Sequence, residues 1–159
     1  MKILITGGAG FIGSNLALAL LKKGHSIVVL DNLSTQIHGI NAEETSPLYT
    51  SIKNSVTFIK GDVTNREHWQ KALIGVDVIV HYAAETGTGQ SMYEIERYTT
   101  VNVGGTGILL DLLANDKKLQ VKKVIVASSR SIYGEGKYFS QELGIVYPNH
   151  RNDDAMQNG

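Results

Sequence analysis

The chain of 159 residues contains no cysteine, which excludes disulfides and thiolate zinc sites and makes a reducing, cytoplasmic setting the expectation. It also lacks net charge. Its 15 basic and 15 acidic side chains balance, which argues against an electrostatic grip on nucleic acid or on an anionic membrane. No apolar run approaches the length of a membrane span. The first strand pattern begins at once, so no signal peptide is expected. The five histidines lack the paired spacing of metal ligands and are assigned to the surface or the polar core, with no metal site. Proline occurs only twice, and there is neither an internal repeat nor a low-complexity segment. What remains suits one domain of ordinary size.

Glycine is plentiful, and its first cluster is the most informative feature. Ile3-Leu4-Ile5-Thr6-Gly7-Gly8-Ala9-Gly10-Phe11-Ile12-Gly13 is an apolar β-branched run, a glycine-rich turn and the start of a helix reaching residue 23. In that context closely spaced glycines bind a dinucleotide pyrophosphate. Gly7 allows a tight exit from the strand, Gly10 a close approach of the backbone to the pyrophosphate, and Gly13 the packing of helix on strand. The uncapped amides of the helix N-terminus then face the negative charge. The alternative is a structural turn that binds nothing. Against it stands a second apolar strand, residues 26–30, ending at Asp31. A carboxylate there accepts hydrogen bonds from the adenosine ribose hydroxyls and repels a 2′-phosphate. No arginine follows in Asp31-Asn32-Leu33-Ser34-Thr35, so NAD is favoured over NADP.

Strand and helix patterns alternate beyond this point. Residues 32–55 are polar and punctuated by Ser46, Pro47 and Asn54, which predicts a loop with one short helix around 42–49. Strands are predicted at 56–59, 77–82 and 123–127. Thr64 and Glu67 form a capping-box pattern for a helix reaching residue 73, and a helix is predicted over 92–115. Near-continuous apolar strands separated by helices indicate an α/β, Rossmann-like, doubly wound parallel sheet of order 3-2-1-4-5 with helices on both faces. This NAD-binding domain is expected to span residues 1–133. Residues 134–159 show no strand or helix period and are expected to be a polar loop or disordered tail.

Six blocks occur in order: the glycine turn, Asp31-Asn32-Leu33-Ser34, Gly61-Asp62-Val63, His81-Tyr82-Ala83-Ala84, Asn102-Val103-Gly104-Gly105-Thr106, and Ser128-Ser129-Arg130-Ser131-Ile132-Tyr133-Gly134. Together they resemble the extended short-chain dehydrogenase/reductases, the NAD-dependent sugar epimerase/dehydratase family. Within it the chain is similar to the 4-epimerases of UDP- and dTDP-sugars, the dTDP-sugar type being suggested by Ala84-Glu85-Thr86-Gly87-Thr88-Gly89-Gln90-Ser91 and by Tyr133-Gly134-Glu135-Gly136-Lys137-Tyr138. The resemblance implies a cofactor site of Gly7, Gly10, Phe11, Ile12, Gly13, Asp31, Asn32, Ser34, Asp62, Val63, Tyr82, Ala83, Ala84 and Asn102. Asp62 and Val63 would contact the adenine, although Gly61-Asp62 also suits a plain turn. Ala83 and Ala84 would lie against the cofactor, or would simply let the strand end pack closely. Asn102 would anchor the neighbouring loop or the nicotinamide side, or would stand on the helix surface. Thr88, Gln90 and Ser91 would face the nucleotide-sugar substrate. Ser129, with Ser128 as the alternative, would supply the catalytic-site hydroxyl.

The same resemblance implies an activity: transient oxidation at sugar C4 by NAD, started by a tyrosine phenolate that a lysine four positions later helps to stabilise. No helical pair of that kind is found. Tyr133 and Lys137 have the spacing but lie in a glycine-rich turn. A C-terminal substrate lobe is also not found. The chain is therefore expected to be the N-terminal part of a longer enzyme and inactive by itself, with homodimer formation through the 92–115 helix. A sugar dehydratase, or a non-catalytic NAD-binding module with a regulatory or interaction role, are the alternatives.

Overall fold

The computed structural model describes residues 1–149 and 153–157. The chain divides into two compact units, Met1–Ala127 and Ser128–Gly159. In the first, the apolar runs form parallel strands β1 (Lys2–Thr6), β2 (Ser26–Asp31), β3 (Thr57–Lys60), β4 (Val78–His81) and β5 (Lys123–Val126), in spatial order β3-β2-β1-β4-β5. This is the doubly wound order anticipated from the sequence. Register places Leu4 beside Val28 and Ile79, and Ile5 beside Val29 and Val80. Because side chains alternate across a strand, each run feeds two cores. Leu4, Val28, Leu30 and Ile79 meet Trp69, Leu109 and Leu112 on one face. Ile3, Ile5, Ile27, Val29 and Val80 meet Ala17 and Ile52 on the other.

Helix α1 (Phe11–Lys22) follows the glycine turn. Where one short helix was expected between β2 and β3 there are three, α2 (Thr35–His38), α3 (Ala42–Thr45) and α4 (Pro47–Ile52). Ser46-Pro47 resembles a break but starts α4: the Ser46 hydroxyl accepts from Tyr49 N–H at 3.3 Å, and proline suits a first helical position. Helix α5 (Arg66–Ala72) is capped by Asn65 rather than Thr64. Asn65 Oδ1 accepts from Glu67 N–H at 2.8 Å, whereas the Thr64 hydroxyl donates to Asp62 Oδ1 at 2.8 Å. At seven residues α5 is too short to persist alone. Burial of Trp69 and Ala72 on the sheet holds it.

The helix predicted over 92–115 is not uniform. A 3₁₀ turn at Gln90–Met92 precedes α6 (Ile95–Tyr98), a π-helical stretch at Thr99–Gly105, and α7 (Thr106–Asn115). Gly104 and Gly105 are weak helix formers, and a Cβ on Gly105 would lie 2.8 Å from Val63 Cγ2. The widened winding thus coincides with the helix pressing against the turn after β3. Among the described residues, no helix is long and apolar enough to cross a membrane.

In the second unit a 3₁₀ turn at Arg130–Tyr133 precedes a hairpin of β6 (Tyr138–Ser140) and β7 (Gly144–Val146), in which Phe139 lies opposite Ile145. A further short helix, α8, spans Asp153–Gln157. These elements replace the loop or tail expected over 134–159, and the division falls after Ala127 rather than after Tyr133. Three-residue strands are too short to show an alternating pattern. Residues 150–152 and 158–159 of that expected loop or tail lie outside the described residues.

Candidate functional site

The cleft forms at the carboxyl ends of β1, β2 and β4, where the strand order reverses. Gly7 leaves β1 at φ +65°, and a Cβ there would sit 2.8 Å from Ala83 N at the end of β4. A Cβ on Gly13 would lie 2.4 Å from Gly7 O and 2.6 Å from Gly8 Cα, so the first turn of α1 rests directly on the glycine turn. Gly10 differs, because a Cβ there would meet only Gly7 O, at 3.3 Å. Packing inside the chain hardly requires that glycine; open space before α1 does. Gly10 is the N-cap of α1, with no side-chain cap and no acidic residue in the first turn, so the amides that begin the helix are left for an anion. Phe11 and Ile12 point their side chains outward, at 75% and 65% exposure, and only their backbone belongs to this cradle.

Asp31 closes the other side. It is buried, its Oδ2 accepts from Ala9 N–H at 2.9 Å, and its Oδ1 accepts from Leu33 N–H at 2.9 Å. Each carboxylate oxygen keeps a second lone-pair direction, enough for two hydroxyl donors. Beyond it, Asn32 Nδ2 donates to Asp62 Oδ2 at 3.0 Å, and Asn32 Oδ1 accepts from Ser34 N–H at 3.0 Å. For Asp62, burial acts to raise the pKa but is outweighed by hydrogen bonds from the Thr64 amide, Asn32 and the Thr64 hydroxyl, and by nearby His68, which leave it below the ordinary carboxylate value. Val63 has its side chain in the core and its carbonyl taken by Trp69 Nε1 at 2.7 Å. Asn32, Ser34, Asp62, Glu85, Arg97 and Thr100 border an open cleft of about 650 Å³.

The β4 end completes the wall. Tyr82 N–H and Ala83 N–H reach Thr6 Oγ1 at 3.2 and 3.0 Å. Asn102 is no surface residue: its Oδ1 accepts from Glu85 N–H at 2.8 Å and its Nδ2 donates to Glu85 O at 3.1 Å. Glu85 in turn pairs with Arg97 at 2.9 Å. Of the expected substrate residues, Ser91 donates its hydroxyl to Thr88 O at 2.7 Å, and Gln90 bonds Gln36, Glu94 and the Tyr98 hydroxyl. Ser91 closes its own turn, and Gln90 ties that turn to α6 and to Gln36 of α2. Ser129 is exposed and belongs to the second unit, where its carbonyl accepts from Ile132 N–H at 3.4 Å. Tyr133 ends the 3₁₀ turn, and Gly134 and Gly136 follow at φ +65° and +86°, so no helix links Tyr133 to Lys137.

A match to the profile of the NAD dependent epimerase/dehydratase family runs over residues 3–151. The chain belongs to that family. It is similar to a dTDP-L-rhamnose 4-epimerase of Burkholderia thailandensis, 40% identical over 152 residues, covering 94% of this chain and 40% of that protein. A UDP-glucose 4-epimerase of Neisseria meningitidis is 35% identical over 136 residues, covering 84% of this chain and 38% of that protein. Among solved structures, a UDP-glucuronic acid 4-epimerase from Bacillus cereus in complex with NAD aligns with TM-score 0.69 and 35% identity over 85% of this chain and 42% of that one. A UDP-glucose 4-epimerase from Bifidobacterium longum in complex with NAD+ and UDP aligns with TM-score 0.68 and 28% identity, over 84% of this chain and 38% of that one. The chain thus spans about two fifths of the length of these relatives. The family is NAD-dependent.

Two buried histidines complete the site and had no local signal. His38 Nδ1 lies 2.9 Å from Ser46 Oγ, and its Nε2 lies 3.8 Å from Asp31 Oδ1. This Ser-His-Asp series resembles a hydrolytic triad in composition only. Ser46, His38 and Asp31 are 2, 9 and 8% exposed, leaving no path for a substrate to the hydroxyl. The second is His81, bonded to Thr6 and Thr106.

Proposed function

We propose that this chain is the NAD-binding part of a nucleotide-sugar 4-epimerase. The observation that carries the reading is Asp31: a buried carboxylate at the end of β2, oriented by the Ala9 amide of the glycine turn itself, beside a helix start with no cap of its own. The first-turn amides of α1 would receive the pyrophosphate and Asp31 the ribose hydroxyls. Asp62 and the Val63 amide would meet the adenine, and Tyr82, Ala83, Ala84 and Asn102 would border the nicotinamide side. When bound, NAD supplies a hydride acceptor for sugar C4 and a donor for its return to the opposite face. Ser129 would orient the sugar hydroxyl, with Thr88, Gln90 and Ser91 on the substrate side. The names of the relatives favour epimerisation over dehydration. The absence of cysteine accords with a cytoplasmic setting.

Calorimetric titration of the 159-residue chain tests the cofactor reading. NAD is expected to bind, and NADP to bind at least tenfold more weakly, because its 2′-phosphate would displace a charge-assisted hydrogen bond and face a carboxylate. Equal or tighter binding of NADP would refute the assignment of Asp31.

A further inference from the structure

His81 lies between two threonine hydroxyls, Thr6 and Thr106. Thr106 Oγ1 has a single proton and donates it to Asn102 O at 2.8 Å. Toward His81 Nε2, 3.0 Å away, it can therefore only accept, so Nε2 carries the ring proton. On a neutral ring Nδ1 is then a bare acceptor, and the Thr6 hydroxyl donates to it at 2.6 Å. That leaves the Thr6 oxygen as the acceptor for the Tyr82 and Ala83 amides. The series runs from the amides at the end of β4, where Tyr82 N–H is shared with the Thr6 carbonyl, to the π-helical carbonyl of Asn102. The ring is 4% exposed and tilted against Trp69, with centroids 5.4 Å apart. Burial holds its pKa below the ordinary histidine value. A protonated ring would aim a second N–H at a Thr6 oxygen already serving two amides.

We propose that His81, locked as its neutral Nε2–H tautomer, is a positioning residue for dinucleotide binding: through Thr106 it fixes Asn102, whose amide clamps the Glu85 backbone in the cleft wall. This rests on the NAD-binding reading above. The ring touches no ligand position itself. Its effect is exerted where Asn102 meets both the N–H and the C=O of Glu85.

Long-range ¹⁵N–¹H correlation spectra of the full chain near pH 7.5, with the His81 signals assigned by their loss in His81→Gln, are expected to show the Nε2–H tautomer. Titration with NAD of Thr106→Val, which keeps the shape of the side chain and removes the hydroxyl, is expected to give binding about tenfold weaker than wild type, the usual cost of leaving a buried donor unpaired. Thr106→Ser restores the hydroxyl and is expected to bind within about twofold of wild type; a purely volumetric role would rank the two variants the other way. An Nδ1–H tautomer, or undiminished NAD binding by Thr106→Val, would overturn the proposal and leave the cofactor reading intact. Wild-type chain that bound no NAD would overturn both. If Thr106→Val does not fold, the wild-type tautomer still tests the proposal, and an Nδ1–H ring overturns it.

Discussion

Gly13 and Gly10 stand three residues apart in one motif, yet the structure assigns them different work, and replacing each by alanine separates folding from binding. In Gly13→Ala the new Cβ would sit 2.4 Å from Gly7 O and 2.6 Å from Gly8 Cα. Both are backbone atoms, so no side chain can rotate away. The first turn of α1 must lift from the glycine turn by close to an ångström. Alanine gains up to about 1 kcal/mol over glycine in a helix interior, whereas forcing a carbon into a filled site costs about 1–3 kcal/mol and sometimes more. The steric effect wins, and we expect a net loss of about 1–2 kcal/mol, a fall in melting temperature of about 2–4 °C per kcal/mol for a chain of this size. Gly10→Ala meets only one contact at 3.3 Å, at φ −70°, which alanine adopts freely. Its cost is limited to about 1 kcal/mol or less for a poorer N-cap, but the methyl group enters the space before the helix amides. The assay is urea unfolding followed by fluorescence of Trp69. This single tryptophan is fully buried in the first unit and reports on it alone. Gly13→Ala should shift the midpoint strongly, and Gly10→Ala should shift it little while losing NAD binding. Unchanged stability in Gly13→Ala, or unchanged NAD affinity in Gly10→Ala, would refute the division of roles.

Acid should weaken the first unit in two stages. His81 is held by burial below 6.5, so protonation favours the unfolded chain and stability falls as pH drops below that value toward the folded one. Asp62 is held below 3.8, so its contribution is full above that pH and is lost as pH falls through the folded value. Trp69-monitored stability that stays level or rises between pH 7 and pH 4 would contradict the first sign, and stability that stays level as pH falls below 3.8 would contradict the second. Rigorously purified chain is expected to show no turnover of UDP- or dTDP-sugars in a coupled epimerase assay, since Tyr133 and Lys137 share no helix face; measurable turnover would sink this expectation. Tyr93, Ile95, Val103 and Leu110 remain 85, 66, 67 and 55% exposed along 92–115, whereas Leu109 and Leu112 are spent in the core. Self-association through that face should appear in sedimentation velocity as a concentration-dependent species heavier than monomer, and a monomer at high concentration would rule it out.

What the sequence discloses follows from how far apart the interacting residues lie. A strand buried on both faces must be apolar at every position, so Ile3-Leu4-Ile5 and Ile27-Val28-Val29-Leu30 announce themselves, and with them the position of Asp31 at a strand end. Gly7 and Gly13 are legible because the contacts that forbid a side chain are local or fixed by the strand–turn–helix path. The short helices after β2 are not, since a four-residue helix has no period and Ser46-Pro47 serves equally as a stop and a start. Choosing Asn65 over Thr64 as a cap depends on Asp62 having already claimed the Thr64 hydroxyl. The partners of His81 are 75 and 25 residues away, and a lone histidine at a strand end carries no pattern that names them. Yet the need for such partners does follow from the pattern: an imidazole inside an apolar strand must satisfy both nitrogens within the core. Two threonines at the ends of neighbouring elements meet that demand, and one of them passes the constraint to Asn102 at the cleft.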